Sequence, residues 1–324
     1  MSKFDLITIG DSTVDTFLVI DEGSLSCSLD TLAIKLCINY ADKICVTHTA
    51  QSVGGNAANV AVGARRIGLS TAIVTELGDD INGQTIFGEL ERAKVDTKYV
   101  KILPNHVTRY SIVLNYKSER TIFSSHVKRT YSLPILPKTK WIYYTSMGKS
   151  FDKTQTKLLE YLKKNPDVKL AHNPGSHQIK EGLNHIKKIL PHVNLLIVNK
   201  EEGIKFVGEK KSISEIISAL HSIGPQAVVL TDGTRGSYAS SGTGIYFMKP
   251  YSIKAKAKTG AGDAYTSGFL SAMVKGKDMP TSMQWGSANA SGVIQKFGAQ
   301  KGLLSLSKIK KIIEDHPKNK PKVI

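Results

Sequence analysis

The sequence is poor in cysteine and has no long apolar run. Its three cysteines, Cys27, Cys37 and Cys45, are an odd number without CxxC spacing, which argues against a disulfide framework and against a zinc site. No window holds the roughly 18 uninterrupted apolar residues of a membrane helix, and the N-terminal run lacks a small-residue cleavage site. We therefore expect a cytoplasmic protein that does not contact a membrane.

Two common nucleotide-binding signatures are also missing. Neither the GxGxxG dinucleotide fingerprint nor the GxxxxGK[ST] P-loop occurs in the chain, which excludes both of these kinds of nucleotide site. Acidic residues are few, because 27 Asp and Glu stand against 44 Lys and Arg, for a net charge of +17. No RNP, zinc-finger or KH pattern accompanies this charge. A solvated basic face, or a field that steers an anionic substrate, accounts for it better than a nucleic-acid site does.

What the chain does contain is a long alternation of apolar and amphipathic stretches. The predicted strands are 4–10, 16–21, 43–51, 71–77, 110–116, 120–126, 141–146, 168–173, 195–199 and 227–233. The predicted helices are 55–68, 81–93, 152–164, 178–190, 200–207, 212–223, 262–275, 280–297 and 306–314. From residue 139 onwards the alternation is regular, which predicts a parallel sheet with helices on both faces. We expect one α/β domain over 1–324.

Two segments, 12–53 and 105–130, interrupt this rhythm. Both alternate polar and apolar residues, and the second contains a pattern typical of a hairpin around the turn at 117–119,. We expect their strands to project from the main sheet as a lid. Because strand edges outside a core tend to be paired or covered, we also expect a homodimer to form through this lid.

The stretch KTGAGDAYTSGF at 258–269 places one carboxylate, Asp263, where a glycine-rich turn becomes a helix. Backbone amides at a helix N-terminus are unsatisfied and the helix dipole is positive there, so the turn at 259–262 is suited to cradle an anion. Phosphoryl transfer to an alcohol requires a base on the acceptor and donors on the phosphate. The alternative is that Asp263 is an ordinary first-turn acid stabilised by the dipole.

A second stretch, VGGNAAN at 53–59, leads through two glycines into a helix. Asn56 and Asn59 stand at the start of this helix. Their side chains can contact a polyhydroxy ligand, and they can equally serve as helix caps.

Two further stretches follow predicted strands, where ligands of open α/β sheets bind. In VNKEE at 198–202, Asn199 and Glu202 can hold a hydrated Mg²⁺ or form a helix capping pair,. In LTDGTRGS at 230–237, Arg235 can pair with a phosphate, although the stretch is also typical of an ordinary turn,.

These four stretches, in this order, resemble the ribokinase-like (PfkB) family of carbohydrate and nucleoside kinases. The resemblance runs from GDSTVD at 10–15 to GSANASGVIQKFGAQ at 286–300, and its most specific part is the combination of GGNAAN with TGAGD. It implies a three-layer α/β/α fold with a central mainly parallel sheet and a small β-strand lid. It also implies that ATP, with Mg²⁺, phosphorylates the primary hydroxyl of a sugar.

The resemblance further implies roles for individual residues. Asp263 is the implied general base, and the backbone of Gly260, Ala261 and Gly262 is the implied anion hole. The positions assigned to the acceptor are Asp11, Asp15, Gly55, Asn56 and Asn59. The positions assigned to ATP are Asn199, Thr231, Gly233, Arg235, Gly236 and Asn289, and Glu202 is assigned to Mg²⁺ through water.

One departure from the family pattern concerns a monovalent cation. Many members read D-T-x-G-A-G-D, and their first acid belongs to a K⁺ site, but Ala257 stands at this position here. Since Ala257 cannot ligate a cation, the sequence argues against activation by K⁺. We hypothesise that Lys256 or Lys258 supplies the missing positive charge.

The acceptor stays open at this point. A nucleoside (adenosine-like) kinase is the alternative to a sugar kinase, and it would need stacking surface from the lid, for which Phe17, Tyr110 and Phe123 are candidates. A sugar-phosphate kinase is a third alternative, suggested by the net charge. The stretch 141–150 lacks the glutamate of some ribose-specific members, which argues against a strict ribokinase. A silent sensor or an RNA-binding module would not need the intact Asp263.

Overall fold

Residues 3–21, 36–38, 40–116, 119–125, 127–208 and 212–324 are described by the computed structural model of the chain. Cys27 and part of the predicted lid segment 12–53 lie outside these residues. The strands are β1 (Phe4–Ile9), β2 (Thr13–Val19), β3 (His48–Gly54), β4 (Thr71–Gly78), β5 (Val100–Leu103), β6 (Tyr110–Tyr116), β7 (Glu119–Ser125), β8 (Thr139–Tyr144), β9 (Lys169–His172), β10 (Leu195–Asn199), β11 (Ala227–Thr231), β12 (Ser237–Ser240), β13 (Ile245–Met248) and β14 (Lys322–Val323). The helices are α1 (Asn56–Arg66), α2 (Ile81–Arg92), α3 (Phe151–Lys164), α4 (Ser176–Glu181), α5 (Leu183–Ile186), α6 (Lys200–Val207), α7 (Ile213–Ser222), α8 (Ala261–Val274), α9 (Met279–Val293) and α10 (Leu306–Asp315).

The main sheet has the strand order β14-β13-β12-β11-β10-β9-β8-β1-β4-β5 within the described ranges. The strands from β11 to β5 are mutually parallel, and β12 to β14 add an antiparallel edge. Strand β1 lies between β4 and β8, with Ile9 opposite Val74 and Tyr144. The chain reverses its direction of travel across the sheet between β1 and β8. In an open α/β sheet, a ligand crevice forms at such a point, beyond the carboxyl ends of the strands.

Helices cover both faces of the main sheet. On one face Phe269 and Trp285, from α8 and α9, pack against strand residues such as Leu6. On the other face Phe151 and Ile216, from α3 and α7, pack against the opposite side of the same strands. Every residue of Thr71–Gly78 is buried, as expected for a strand covered on both sides. The sheet is therefore a rigid platform for the groups at its carboxyl edge.

A second, four-stranded sheet has the order β3-β2-β6-β7. Strands β2 and β6 are parallel, whereas the two outer pairs are antiparallel. Burial alternates strictly along Tyr110–Tyr116, with Ser111, Val113 and Asn115 turned inward. This sheet is built from the two segments that interrupt the alternation in the sequence, and we call it the lid sheet.

Some predicted elements differ from the observed ones. The helix predicted at 178–190 is broken at Gly182, whose φ of 94° ends α4. The strand predicted at 43–51 begins at His48, because pairing with Thr13–Val19 fixes its length. Four short strands, β5, β12, β13 and β14, were not predicted, since runs of two to four residues carry little periodicity,. Within the described residues, no helix combines the length and the apolar character needed to cross a bilayer.

Candidate active site

A cavity of about 490 Å³ opens beneath the lid sheet at the carboxyl edge of the main sheet. Five neighbouring strands each contribute one residue to the cavity wall, at or just beyond the end of the strand. These residues are Asp11, Ser146, Asn173, Asn199 and Thr231. The first turns of α1 and α8 and residues of the lid sheet also contribute to the wall. The cavity therefore occupies the crevice that the strand order predicts.

Asp263 lies in the first turn of α8 and faces this cavity. Asn59 Nδ2 donates a hydrogen bond to Asp263 Oδ2 over 2.8 Å, and Gln300 Nε2 donates to Asn59 Oδ1 over 3.1 Å. Burial, and to a smaller extent the charge of Asp15, raise the pKa of Asp263 to about 6. The hydrogen bond from Asn59 and the charge of Arg120 act in the opposite direction. At neutral pH the group is thus mostly ionised, and its pKa is close enough to 7 for proton exchange with a substrate.

The turn before Asp263 is shaped for an anion. Gly260 is the N-cap of α8 with φ 81°, and a Cβ there would lie 2.4 Å from Ala299 Cβ, so this position requires glycine. A Cβ on Gly262 would meet no atom within 4 Å, which leaves open space above the first turn. The buried Thr259 hydroxyl lies on the cavity wall without a hydrogen-bond partner among the described residues. Gly262 thus leaves a space at the start of α8 that no side chain fills, whereas Ala261 N donates to Lys258 O and Ala261 does not line the cavity.

Helix α1 begins at the same cavity through a tight turn. Gly55 has φ 89°, and a Cβ there would lie 2.6 Å from the backbone oxygen of Asp11, so only glycine fits. The turn brings Asn56 and Asn59 to the cavity wall, and Asn56 Nδ2 donates to Asn173 Oδ1 over 3.2 Å. The side-chain amide of Asn59 donates a hydrogen bond to Asp263, so Asn59 orients this carboxylate as well as lining the cavity.

Asp15 of the lid sheet also faces the cavity. Burial raises the pKa of Asp15 to about 6, against hydrogen bonds from Thr13 and Ser111 and the charge of Arg109. Since a charged acceptor of hydrogen bonds is costly to bury alone, a ligand that donates hydroxyl groups would stabilise it.

Asp11 is more constrained than the sequence suggested. Arg109 forms an ion pair with Asp11 Oδ2. Tyr131 donates its hydroxyl to the same carboxylate over 2.8 Å, and Gly148 N donates to the Tyr131 oxygen over 2.7 Å. Both carboxylate oxygens of Asp11 are therefore engaged by protein groups. The ion pair also holds Arg109 on the cavity wall.

Asn199 and Glu202 form the capping box that was one of the two sequence interpretations. Glu202 N donates to Asn199 Oδ1 over 2.8 Å, and Asn199 N donates to Glu202 Oε2 over 2.9 Å. Both residues nevertheless line the cavity, and burial raises the pKa of Glu202. Among the described residues no three acidic, His or Cys side chains cluster as a metal site. The oxygen donors present suit an ion such as Mg²⁺, which keeps several waters and binds phosphate oxygens.

The structure does not bring every predicted nucleotide residue to the cavity. Thr231 reaches it, whereas Gly233 and Gly236 lie in the loop beyond. Arg235 turns to Asp232, donating from Nε over 2.8 Å and from Nη2 over 2.6 Å. Asn289 is fully buried: Nδ2 donates to Ala264 O and Ser267 Oγ, each over 2.9 Å, and Oδ1 accepts from Leu304 N. In this structure Asn289 fastens α9 to α8, which leaves its amide no path to a nucleotide.

Other cavity residues were not found from the sequence. Ser146 and Asn173 lie just beyond the ends of β8 and β9, so the strand-end rule applied at 198–202 would have found them too. Arg120 shares a face of the predicted hairpin with Ser124, which alternation alone could have indicated. Arg109 has no local signal, because its position depends on a partner 98 residues away in the sequence.

A model of the pfkB family of carbohydrate kinases matches residues 18–305. The chain is 22% identical over 325 residues to an ATP-dependent 6-phosphofructokinase of Thermoanaerobacterium thermosaccharolyticum, covering 96% of this chain and 94% of the relative. It is 26% identical over 284 residues to a 5-dehydro-2-deoxygluconokinase of Bacillus licheniformis, covering 81% and 86%.

Solved structures give the same picture of the fold. A nucleoside kinase of Methanocaldococcus jannaschii superposes with a TM-score of 0.78 at 21% identity, covering 98% of this chain and 100% of the other. A ribokinase of Arabidopsis thaliana, complexed with ribose and ATP, gives 0.77 at 19% identity, covering 97% and 99%. The predicted ribokinase-like α/β fold is confirmed.

The fold and the relatives define an enzyme that transfers a phosphoryl group to a hydroxyl acceptor. The chain belongs to the pfkB family of carbohydrate kinases, as its four sequence stretches predicted.

Proposed function

We propose that the protein transfers the γ-phosphoryl group of ATP to the primary hydroxyl of a sugar, with Asp263 as general base. The observation that carries the proposal is the placement of Asp263. Its carboxylate is fixed by Asn59 and stands beside a helix N-terminus whose Gly262 faces open space. Base and anion cradle thus occupy one turn of α8.

In the proposed reaction Asp263 accepts the proton of the acceptor hydroxyl through the oxygen that Asn59 does not hold. The hydroxyl oxygen then forms its bond to the γ-phosphorus while the bond to the bridging oxygen of ADP breaks. The backbone amides at 260–262 would bind the phosphoryl oxygens in the space that Gly262 leaves open. Such preorganised donors stabilise charge that develops in the transition state.

The nucleotide would lie on the side of the cavity formed by Asn199, Glu202 and Thr231. Glu202 would hold Mg²⁺ through water, and the bound ion supplies positive charge to the phosphate oxygens. The loop with Gly233, Arg235 and Gly236 follows directly after Thr231. We propose that this loop borders the nucleotide from outside the cavity.

A sugar fits the acceptor side better than a nucleoside does. Phe17 is fully buried, Tyr110 donates its hydroxyl to Thr16, and Phe123 is 57% exposed on the strand face opposite to Arg120. None of these three aromatic residues lines the cavity, so none of them offers a stacking surface for a base. Asp15, Asn56 and Ser111 offer hydrogen bonds to hydroxyl groups instead. Two relatives are named for fructose and gluconate derivatives, which supports a sugar acceptor.

The test is ADP release from Mg·ATP over a panel of hexoses, pentoses, sugar acids, sugar phosphates and nucleosides. We expect turnover on a sugar, and we expect Asp263→Asn to lower kcat by roughly 10²- to 10⁴-fold while ATP still binds. Asp167→Asn makes the same charge change at an exposed turn and should retain full turnover. Wild-type turnover in Asp263→Asn would refute the assignment of the base.

A further inference from the structure

We propose that the lid sheet carries an anion-binding subsite in which Arg109 and Arg120 hold a carboxylate or phosphate group of the acceptor. This inference rests on the kinase function proposed above. It narrows the acceptor from sugars in general to sugar acids and sugar phosphates.

Arg120 lies on the face of the lid hairpin that is turned to the cavity. In the hairpin of the lid sheet, Ser111 is opposite Ser124, Val113 is opposite Ile122, and Asn115 is opposite Arg120. Because side chains alternate along a strand, Arg120, Ile122 and Ser124 share one face. All three line the cavity, together with Ser111 and Val113. Arg120 is therefore part of the inner surface of the lid sheet.

Arg109 is fixed by its ion pair with Asp11. Its side chain is only 13% exposed, and its partner Asp11 is 6% exposed. Asp11 is held in turn by Tyr131, which is held by Gly148 N. A buried ion pair costs desolvation energy that hydrophobic packing would not, so it adds little to stability by itself. It does hold a planar cation with five N–H donors rigidly at the cavity wall, which suits a carboxylate or a phosphate.

Four carboxylates stand on the cavity wall, those of Asp11, Asp15, Glu202 and Asp263, and the carboxylate of Asp11 is already paired with Arg109. An anionic acceptor would therefore be repelled unless positive groups lay nearby. Arg109 and Arg120 supply these groups: the charge of Arg109 lowers the pKa of Asp15, and the charge of Arg120 lowers the pKa of Asp263. A neutral sugar needs only hydroxyl and amide partners, and two arginines exceed that need. The net charge of +17 adds a field that draws anions to the protein,.

The experiment compares acceptors that differ by one anionic group and keep a primary hydroxyl. Fructose is paired with fructose 6-phosphate, and glucitol is paired with gluconate. We expect kcat/KM to be higher for the anionic member of at least one pair, and the pair that responds tells a phosphate from a carboxylate. The KM of that member should rise with ionic strength, because salt screens the attraction.

Variants assign the effect to the two arginines. Arg120→Gln should reduce kcat/KM for the anionic acceptor by roughly 10- to 100-fold more than for its neutral partner, since a charged hydrogen bond is lost. Arg109→Lys keeps the charge and the pairing with Asp11 but loses the planar fork, so it should show a smaller change of the same kind. Arg92→Gln removes an exposed arginine on α2 and should leave the ratio unchanged.

Binding separates a failure of this inference from a failure of the kinase function. Calorimetry with fructose 6-phosphate and gluconate requires no turnover, so it reads the subsite even if no acceptor releases ADP. Tighter binding of an anionic member, weakened by Arg120→Gln, supports the subsite. Equal or weaker binding and turnover of both anionic members would overturn it. An equal loss of kcat/KM on both members of a pair in Arg120→Gln would also overturn it, by assigning Arg120 to the transferred phosphoryl group.

Discussion

Replacing Asp263 by Asn should make the protein inactive and more stable at the same time. Burial raises the pKa of this carboxyl from 3.8 to about 6. The folded protein therefore holds a proton between about pH 4 and pH 6 that the unfolded chain has already released. The contribution of Asp263 to stability accordingly falls as pH rises through this window. Above pH 6, the ionised carboxylate lowers the free energy of unfolding by up to about 3 kcal/mol, because each unit of pKa shift corresponds to roughly 1.4 kcal/mol.

Asparagine at position 263 removes this cost without removing the acceptor oxygen that Asn59 contacts. For a chain of this length, 3 kcal/mol corresponds to a rise in Tm of roughly 4 °C. We expect this rise at pH 7.5 and expect it to shrink to a small fraction near pH 4, where Asp263 is protonated in the folded state and still about half protonated in the unfolded chain,.

The assay is thermal unfolding of the wild type, Asp263→Asn and Asp167→Asn across this pH range. Asp167 lies in an exposed turn, so its variant should follow the wild type throughout. If Asp263→Asn gained nothing at pH 7.5, or gained the same amount at both pH values, the reasoning about a strained, ionised base would be wrong. The expected result is a trade of stability for activity at one residue.

Four further predictions concern the site and its surroundings. Gly262→Ala should lower kcat by roughly 10²- to 10³-fold, because the added methyl group fills the anion cradle. Gly88→Ala, whose added Cβ also meets no atom within 4 Å, should leave turnover intact. Normal kinetics in Gly262→Ala would contradict the cradle. The kcat/KM of the wild type should rise as pH passes about 6, following Asp263 and Asp15; a flat profile from pH 5 to 8 would count against an ionised base. Burial lowers the pKa of His172 to about 4, so the contribution of this residue to stability should fall as pH drops from about 6.5 to 4, opposite to the contribution of Asp263. His172→Phe should therefore lose less stability than the wild type over that range in thermal unfolding. Activity should not increase on adding K⁺, because Ala257 is buried at the position of the family's acid; strong activation in a K⁺ titration would refute this.

Much of the fold could be predicted because its strands and helices are long and strongly patterned. The run at 71–77 was predicted as a buried strand, and every residue of the observed strand is buried. Asp263 and the glycines before it were also predictable, since a local turn determines where they lie.

Positions that depend on distant partners could not be predicted in this way. Asn289 was assigned to the nucleotide from the resemblance, but its amide is used up by backbone and side-chain groups of other segments. Asp11 was assigned to the acceptor and does line the cavity, but its contacts with Arg109 and Tyr131 were not predicted. In each case the competing partner lies far away in the sequence, where local patterns carry no information about it.

The division of the cavity between two sheets has a consequence for how such an enzyme can change. The proposed base and anion cradle belong to one helix on the main sheet, whereas Ser111, Arg120 and Ser124 belong to the lid sheet and Arg109 directly precedes its strand β6. On the proposals made above, substitutions of Ser111, Ile122 and Ser124 would change the acceptor, whereas Arg120 also acts on the pKa of Asp263. A library in the lid hairpin that keeps Arg120 would therefore explore new acceptors while the charge that the hairpin places near the proposed base stays the same.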